Sequence, residues 1–505
     1  MELTSHQKTV YDELMKFVFS PFPSTSNEYH SLEGFAGTGK TFLLANLITN
    51  TNRKLTLLDS MGVKLPFNYM KICSTSHKAC RVLEKDLNRL ISAEQKSAKK
   101  LEVRTLASFL KYVPLRSKSE PLRFVPSSNF FDTITENALI YIDEASMINS
   151  GTLKNLEKRC KGCKIVFIGD PLQLPPVKEK VSPAFNKVTK RHQLSKIIRQ
   201  TKGNKILEVT EELRNAILHK TTPDISADGV DIIKCDDFQF ESEIKQHFMS
   251  DHKLYSGDTS NLAILAWTNK SVNYYNNLVQ GHLHPNVKHL PSDCTLIAEG
   301  PILGAVTLNS PDRLDSSVKT FKSNDSKEKF PYVIPSNLST PIYNNGATIK
   351  VTGVKVLDTP IKFAVWAQGD SEKLKTALCS SLANTAGWLC KNSDGSYTLK
   401  IPGLLISSED TPRNFIIPYM EHKNVFKELS KILAKHENFF TLTALTDMFG
   451  EVSLGAASTV HRSQGSTYST VFIDTQDILK CKDNATRYRL LYVAISRAKS
   501  KVYVK

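Results

Sequence analysis

The sequence lacks the features that would indicate a membrane, secreted or disulfide-stapled protein. Its 505 residues contain no apolar run long enough to span a bilayer. The first seven residues, M-E-L-T-S-H-Q, have neither the basic nor the apolar region of a signal peptide. The nine cysteines are scattered and odd in number, which is typical of reduced thiols rather than of a disulfide framework. We therefore expect a cytoplasmic protein with no membrane partner.

Acidic residues are also too few to balance the basic ones. The chain has 66 Lys and Arg against 50 Asp and Glu, which gives a formal net charge of +16. This surplus lowers the cost of approaching a polyanion and favours nucleic acid as a partner. The length exceeds what one hydrophobic core supports and indicates about three or four folding units.

A phosphate-binding loop lies near the N-terminus. Gly34, Gly39, Lys40 and Thr41 have the G-x-x-x-x-G-K-[ST] spacing of a P-loop. Backbone N–H groups and the following helix would bind phosphate, Lys40 would reach the β- and γ-phosphates, and Thr41 would bind Mg²⁺. A chance glycine-rich turn is the alternative. The residues predicted to contact ATP here are Gly34, Phe35, Ala36, Gly37, Thr38, Gly39, Lys40 and Thr41.

Two carboxylates follow the most apolar predicted strand. Residues 138–147 read A-L-I-Y-I-D-E-A-S-M, so a buried strand would deliver Asp143 and Glu144 to the carboxyl edge of a parallel sheet. There Asp143 can hold Mg²⁺ while Glu144 activates the attacking water. After the next predicted strand, residues 164–168, Gln173 can reach the γ-phosphate or that water. These residues complete an ATPase site, and Gln7 can offer its amide to adenine.

Polar residues follow other predicted strands at positions where ligands bind in parallel sheets. Residues 69–73 precede Thr75, Ser76, His77 and Lys78, which can contact a phosphate backbone or only cap a helix. Residues 262–266 precede Trp267, which either stacks on a base or packs in the core. Later polar residues, Ser458, Thr459 and His461, can also contact phosphates.

Two segments between these motifs predict insertions. Residues 112–130 contain two short extended runs joined by a basic turn, which indicates a β-hairpin or an exposed loop. Residues 291–438 are rich in Gly, Pro, Ser and short alternating runs, which predicts a small β-rich domain.

Eleven motifs in order resemble those of superfamily 1 helicases, in the 5′→3′ branch that contains the phage Dda helicase and RecD. They are L-T-x-x-Q, G-F-A-G-T-G-K-T, T-S-H-K-A, T-L-A-S, I-D-E-A-S-M, G-D-P-L-Q-L-P-P-V, K-I-I-R-Q, A-W-T-N-K, Y-N-N-G, S-T-V-H-R-S-Q-G and L-Y-V-A-I-S-R-A. The resemblance implies an α/β fold with two RecA-like P-loop motor domains around an ATP cleft. The first would be residues 1–200, with a strand-separating hairpin at about 111–131. The second would be 201–290 plus 439–505, with a β-rich, SH3-like domain inserted at 291–438.

The resemblance also implies a role for individual residues. Arg199 and Arg497 would be arginine fingers, Gln173 would sense the γ-phosphate, and Gln464 and Gly465 would couple nucleotide to DNA. Thr41 and Asp143 would hold Mg²⁺, and Gln7 would contact adenine. DNA would be contacted by Thr75, Ser76, His77, Lys78, Thr105, Ser108, Trp267, Asn269, Asn345, Ser458, Thr459 and His461.

The activity implied is that of a monomeric, ATP- and Mg²⁺-dependent DNA helicase that moves 5′→3′ on single strands and unwinds duplex DNA. Its partners would be single-stranded DNA, junctions of single and double strands, and single-strand-binding or replisome proteins. Phage-type replication, recombination or repair in a host cytoplasm is the implied setting. The sequence leaves open a translocase or displacement factor that does not unwind, and an RNA-directed superfamily 1 helicase.

Overall fold

The fold was obtained as a computed structural model. The structure describes residues 3–35, 37–67, 69–75, 77–90, 103–115, 123–127, 134–176, 179–196, 204–223, 225–250, 262–283, 290, 294–300, 302, 319–320, 333–334, 342–343, 348–357, 360–365, 371–382, 387–391, 393, 397–409, 411–436 and 439–505.

The N-terminal part of the chain builds a parallel six-stranded sheet. The strands are β1 (Glu28–Gly34), β2 (Tyr69–Ser74), β3 (Val103–Thr105), β7 (Ala138–Asp143), β9 (Lys164–Gly169) and β10 (Lys190–Leu194). Their order is β10-β1-β9-β7-β2-β3, and every neighbouring pair is parallel. All six carboxyl ends therefore lie at one edge of this sheet.

Helices and short strands surround this sheet. The helices are α1 (Ser5–Phe19), α2 (Lys40–Ser60), α3 (His77–Leu90), α4 (Leu106–Phe109) and α5 (Ser150–Arg159). Short 3₁₀ helices span Ala145–Met147 and Pro183–Asn186, and β6 (Thr135–Glu136) pairs with β8 (Cys160–Lys161). Apolar strands β7 and β9 are buried along their whole length. This burial on both faces explains why they read as continuous apolar runs.

The predicted hairpin is present beside this sheet. Strand β4 (Tyr112–Leu115) pairs antiparallel with β5 (Arg123–Pro126). The Tyr112 hydroxyl accepts a hydrogen bond from Asn155 Nδ2 at 2.8 Å, which ties the base of the hairpin to α5. The turn between the strands lies outside the described residues.

A second parallel sheet is built from two separated parts of the chain. Its order is β11 (Ile232–Lys234), β25 (Ala498–Val504), β24 (Tyr468–Ile473), β12 (Leu262–Ala266) and β23 (Ala457–Thr459). All neighbouring pairs are parallel. The surrounding helices are α6 (Lys205–His219), α7 (Asp237–Ser250), α8 (Asn269–Leu283), α12 (Thr475–Leu479) and α13 (Asn484–Ile495).

The inserted region is β-rich but also contains helices. A five-stranded sheet has the order β21 (Thr411–Pro418), β20 (Gly403–Ser408), β16 (Thr348–Val356), β13 (Thr295–Ala298) and β22 (Val452–Leu454). Strands β17 (Ile361–Val365), β19 (Tyr397–Ile401) and β18 (Leu389–Lys391) form a second sheet, and β14 (Lys319–Thr320) pairs with β15 (Val333–Ile334). Helices α9 (Ser371–Ser381), α10 (Lys423–Lys435) and α11 (Phe439–Met448), with the 3₁₀ turn Met420–His422, complete this region.

The C-terminal boundary predicted for the insertion, residue 438, falls too early. Strand β22 pairs with β13 in the inserted sheet rather than with the second motor sheet. Leu445 and Phe449 belong to the same buried cluster as Leu429 and Leu433 of α10. The insertion therefore continues to about Leu454, because pairing and packing join these later residues to it. Among the described residues, no helix has the length and apolarity needed to cross a membrane.

Candidate active site

The P-loop connects β1 to α2 at the carboxyl edge of the first sheet. Gly37 and Gly39 have φ angles of 83° and 82°, which side chains disfavour. A Cβ on Gly34 would lie 2.7 Å from Thr38 Oγ1, so only glycine fits there. Helix α2 begins after Gly39 with no side-chain cap, and its first N–H groups remain available to an anion. Ala36 lies outside the described residues.

Lys40 folds back over this loop. Its Nζ donates to the carbonyl oxygens of Gly34 and Phe35, at 2.6 and 2.9 Å. Burial lowers the pKa of the ammonium, and the carboxylates of Asp170 and Glu144 oppose that shift. The half-buried lysine thus lies near several carboxylates, and an incoming phosphate would replace carbonyl oxygens as its partner.

The two predicted acids lie beside this lysine at the end of β7. Glu144 donates its backbone N–H to Asp143 Oδ1 at 2.9 Å and adopts a left-handed conformation, with φ of 55°. Burial, followed by the charge of Glu144, raises the pKa of Asp143 to about 7. A divalent cation would offset this cost by favouring the ionised carboxylate.

These residues fit ATP and Mg²⁺. The glycine cradle and uncapped helix suit phosphates, and a hydroxyl next to a costly buried carboxylate suits a hard cation. Thr41, which is half-buried at the start of α2, and Asp143 would hold that cation, which would neutralise phosphate charge during hydrolysis. Glu144 would orient and deprotonate the attacking water.

The predicted adenine ligand, Gln7, is engaged within the protein. Its Oε1 accepts from the Thr4 backbone N–H at 3.1 Å in a capping box that begins α1. Its Nε2 donates to the Thr38 carbonyl at 3.2 Å, and the side chain is buried. Gln7 therefore joins α1 to the P-loop, and its contact with adenine stays a prediction.

Residues from the second sheet approach this site across the cleft. A Cβ on Gly465, whose φ is 73°, would lie 3.4 Å from Glu144 Oε1. Gln464 Nε2 donates to the Leu174 carbonyl at 3.3 Å. Arg497 is buried, and its guanidinium donates to the carbonyls of Val493 and Ser466 at 3.1 and 3.2 Å.

Of the two predicted arginine fingers, Arg497 is among the described residues. Arg497 contributes to the electrostatic environment of Lys40, where its positive charge favours the neutral amine. Its guanidinium is bonded to carbonyls of its own domain, so its role as an arginine finger stays a prediction. Arg199 lies outside the described residues.

The first predicted nucleic-acid loop contacts Glu144. Thr75 Oγ1 donates to the Glu144 carbonyl at 3.4 Å. Ser76 lies outside the described residues, and His77 and Lys78 begin α3, with side chains that are not described. Since β2 adjoins β7 in the sheet, this loop is a direct neighbour of the ATPase acids.

Thr105 and Ser108 follow the edge strand β3. Thr105 is buried, and its Oγ1 accepts the Ser108 backbone N–H at 3.1 Å as the cap of α4. The capping bond and burial leave little of Thr105 for DNA, whereas the Ser108 side chain is exposed. Of this pair, the structure presents Ser108 to solvent.

On the second sheet, one carboxylate organises the predicted DNA loop at residues 267–269. Asp477 Oδ2 accepts from the backbone N–H groups of Trp267 and Thr268 at 3.0 and 2.7 Å, and the Thr268 hydroxyl also donates to it. The Trp267 ring is half-buried against the core, as one of the two alternatives expected, and its stacking on a base stays a prediction. Asn269 is exposed at the start of α8.

Three of the remaining predicted DNA contacts lie in β23 or just after it. Ser458 and Thr459 are half-buried, and Thr459 Oγ1 accepts the Arg462 backbone N–H at 3.3 Å. Burial lowers the pKa of His461, which favours a neutral imidazole. Asn345 lies outside the described residues.

Sequence reasoning missed several residues at the cleft. Arg489 donates to the Pro171 and Gln173 carbonyls, the Tyr492 hydroxyl donates to Asp170 Oδ2, and the Arg214 guanidinium lies over the Phe35 ring. Arg489 had one available signal, which is a charged residue directly before the apolar run at the end of helix α13. Arg214 had none, because only the fold brings α6 to the P-loop.

Comparisons with known proteins agree with the two-sheet arrangement. A family model described as an AAA domain matches residues 18–227, and one described as a UvrD-like helicase C-terminal domain matches residues 454–504. The uncharacterised protein R530 of Acanthamoeba polyphaga mimivirus is 23% identical over 546 residues, which cover 98% of this chain and 98% of that protein.

Two similar solved structures are Pif1 helicases. That of Bacteroides, in complex with ADP-AlF3 and single-stranded DNA, is 15% identical and covers 100% of this chain and 92% of its own, with a TM-score of 0.43. That of Candida albicans is 16% identical and covers 100% of this chain and 94% of its own, with a TM-score of 0.40.

Proposed function

Because the chain is a DNA helicase and ATP hydrolase of superfamily 1, we propose that it moves 5′→3′ along single-stranded DNA and unwinds duplex DNA. The observation that carries this proposal is the position of Glu144. Its backbone carbonyl accepts from Thr75 of the first nucleic-acid loop, and its carboxylate faces Gly465 of the second motor domain. Glu144, which would activate the water, thus contacts both the loop at Thr75 and the second motor domain, the two elements that must move.

The cycle follows from these contacts. ATP would draw Lys40 from the loop carbonyls toward phosphate, while Arg497 and Arg199 would meet the γ-phosphate from the other side and close the cleft. Glu144-assisted hydrolysis would remove that attraction and reopen it. Alternating grip by the loops at Thr75 and Trp267 would then advance the protein along one strand.

Strand separation is assigned to the hairpin of β4 and β5, whose base is fixed to α5 by the Tyr112–Asn155 hydrogen bond. Binding would be largely independent of sequence, since phosphate contacts and base stacking carry it. We propose that the protein acts as a monomer at junctions during viral replication, recombination or repair. It would act in a host cytoplasm, beside single-strand-binding or replisome proteins.

The test is strand displacement with ATP and Mg²⁺ on two partial duplexes, one with a 5′ tail and one with a 3′ tail. We expect displacement of the 5′-tailed substrate only, and its loss in Lys40→Ala. Preference for the 3′ tail would overturn the direction. ATPase stimulated by single strands without displacement would indicate a translocase that does not unwind, and stimulation by RNA but not DNA would indicate the RNA-directed alternative.

A further inference from the structure

The loop that carries Gln173 belongs to the first motor domain by sequence but is embedded in the second. This 170–174 loop, which follows β9, inserts Leu174 into the buried cluster formed by α6, α13 and strands β24 and β25. Leu174 is 1% exposed. Removal of this apolar side chain from water stabilises the loop against the second domain.

Polar contacts from the second domain hold the same loop. Arg489 Nη1 donates to the Pro171 and Gln173 carbonyls at 2.9 and 2.8 Å. The Tyr492 hydroxyl, one helical turn further along α13, donates to Asp170 Oδ2. Arg489 is itself buried, so its bonds are shielded from water and competing salt.

The Gln173 side chain at the centre of this loop has one unpaired atom. It is 5% exposed, and its buried Oε1 has no hydrogen-bond partner among the described residues. A buried carbonyl oxygen without a donor is costly. Water or another donor that reached this oxygen would remove that cost.

We propose that Arg489, assisted by Tyr492, is a positioning residue that holds Gln173 in its working place and makes that place depend on the second motor domain. Arg489 binds the carbonyl of Gln173 itself, so movement of α13 moves the residue that would sense the γ-phosphate. The inference rests on the proposed role of Gln173 in ATP hydrolysis. The 170–174 loop thereby couples closure of the cleft to ATP hydrolysis.

The chain offers a matched control on the same helix. Arg487 lies two residues before Arg489, and its guanidinium donates to the Cys481 carbonyl within its own domain, at 3.0 and 2.7 Å. Arg487→Ala therefore removes an arginine bound to backbone, as Arg489→Ala does, but leaves the 170–174 loop untouched.

The experiment is a double-mutant cycle on ATPase stimulated by single-stranded DNA. We expect Arg489→Ala to lower kcat about tenfold with little change in KM for ATP, and Arg487→Ala to leave both near wild type. In a Gln173→Ala background, Arg489→Ala should have almost no further effect on kcat, because the two residues act as one unit. Thermal unfolding of each variant separates these effects from loss of fold.

Additive losses in the cycle, or equal kcat values for Arg489→Ala and Arg487→Ala, would overturn the proposal. Tyr492→Phe keeps the buried ring and removes only the hydroxyl, so a decrease in kcat in the same direction supports the proposal if Arg489→Ala does not fold. An unchanged kcat in Tyr492→Phe would then count against it. Wild-type protein without stimulated ATPase would instead refute the proposed function.

Discussion

At the scale of single residues, a buried histidine pair is expected to make the protein sensitive to acid. His30 stacks on Phe17 with 3.5 Å between ring centroids, and its Nδ1 lies 3.2 Å from His192 Nε2. The second ring nitrogen of His192 lies 2.9 Å from Glu13 Oε2. Burial, followed by the charge of His192, lowers the pKa of His30 to about 4.

An unfolded chain protonates histidine near pH 6.5, so between that pH and about 4 it binds more protons than the folded chain. Stability is therefore complete above pH 6.5 and falls as pH decreases through this window. Thermal unfolding between pH 7.5 and 5 should show a shallower loss in His30→Phe, while His219→Gln, at an exposed site, should follow wild type. Equal pH slopes for wild type and His30→Phe would contradict this.

At the same scale, local spacing predicted which of the ATP-site candidates lie together. The P-loop, Asp143 and Glu144 lie together as expected, because each follows a strand of one parallel sheet and needs only local turns to reach its edge. Gln7 and Thr105 show a limit of such reasoning. Their side chains bond to Thr38 and Ser108, and a helix-capping role has the same sequence pattern as a ligand role.

At the scale of elements, helix α12 is expected to determine the shape of the DNA loop that follows β12. The side chain of Asp477 is 1% exposed, and its carboxylate accepts the bonds from Trp267 and Thr268 described above. Burial opposes ionisation, but the bond from the Thr268 backbone N–H lowers the pKa of Asp477 below its usual value. The loop thus depends on a charged acceptor from another element.

Asp477→Asn should therefore weaken binding to single-stranded DNA, because an amide places a donor against the N–H groups of the loop. Left without acceptors, these groups should also cost roughly 2 kcal/mol of unfolding free energy. Asp483→Asn is the matched control, since Asp483 caps the start of α13, where it accepts from the Thr486 backbone N–H. It should cost little stability, because Asn caps a helix about as well as Asp does, and it should leave DNA affinity unchanged. Equal losses of affinity in both variants, measured by fluorescence anisotropy, would contradict the assigned role.

Element positions were easier to predict than domain limits. The strands around Asp143 and Trp267 and the helix after the P-loop occur where the apolar runs placed them. The end of the insertion does not lie where it was predicted. Strand β22 is three residues long, and it belongs to the inserted sheet because it pairs with β13, more than 150 residues away in sequence. Short strands contain too little periodicity to identify their sheet.

At the scale of the whole molecule, the predicted α/β fold with two parallel sheets is confirmed, and models of an AAA domain and of a UvrD-like helicase C-terminal domain match parts of the two motor regions. The net charge of +16 then has a measurable consequence. Affinity for single-stranded DNA should fall steeply between 50 and 200 mM salt, with a logarithmic slope of about −0.7 for each phosphate neutralised. Five contacted phosphates would give a slope of roughly −3.5. A flat dependence would contradict binding through the phosphate backbone.

The sequence by itself determined the chemistry of the ATP site. Its glycines, lysine and paired acids occur at fixed local spacing, and such spacing is enough when each group sits at a strand end. Only the tertiary structure decided how the two motor domains communicate. Arg489 lies more than 300 positions after Gln173, and Gly465 more than 300 after Glu144, so chain folding alone brings them into contact. Burial of Leu174 across the cleft makes that contact stable.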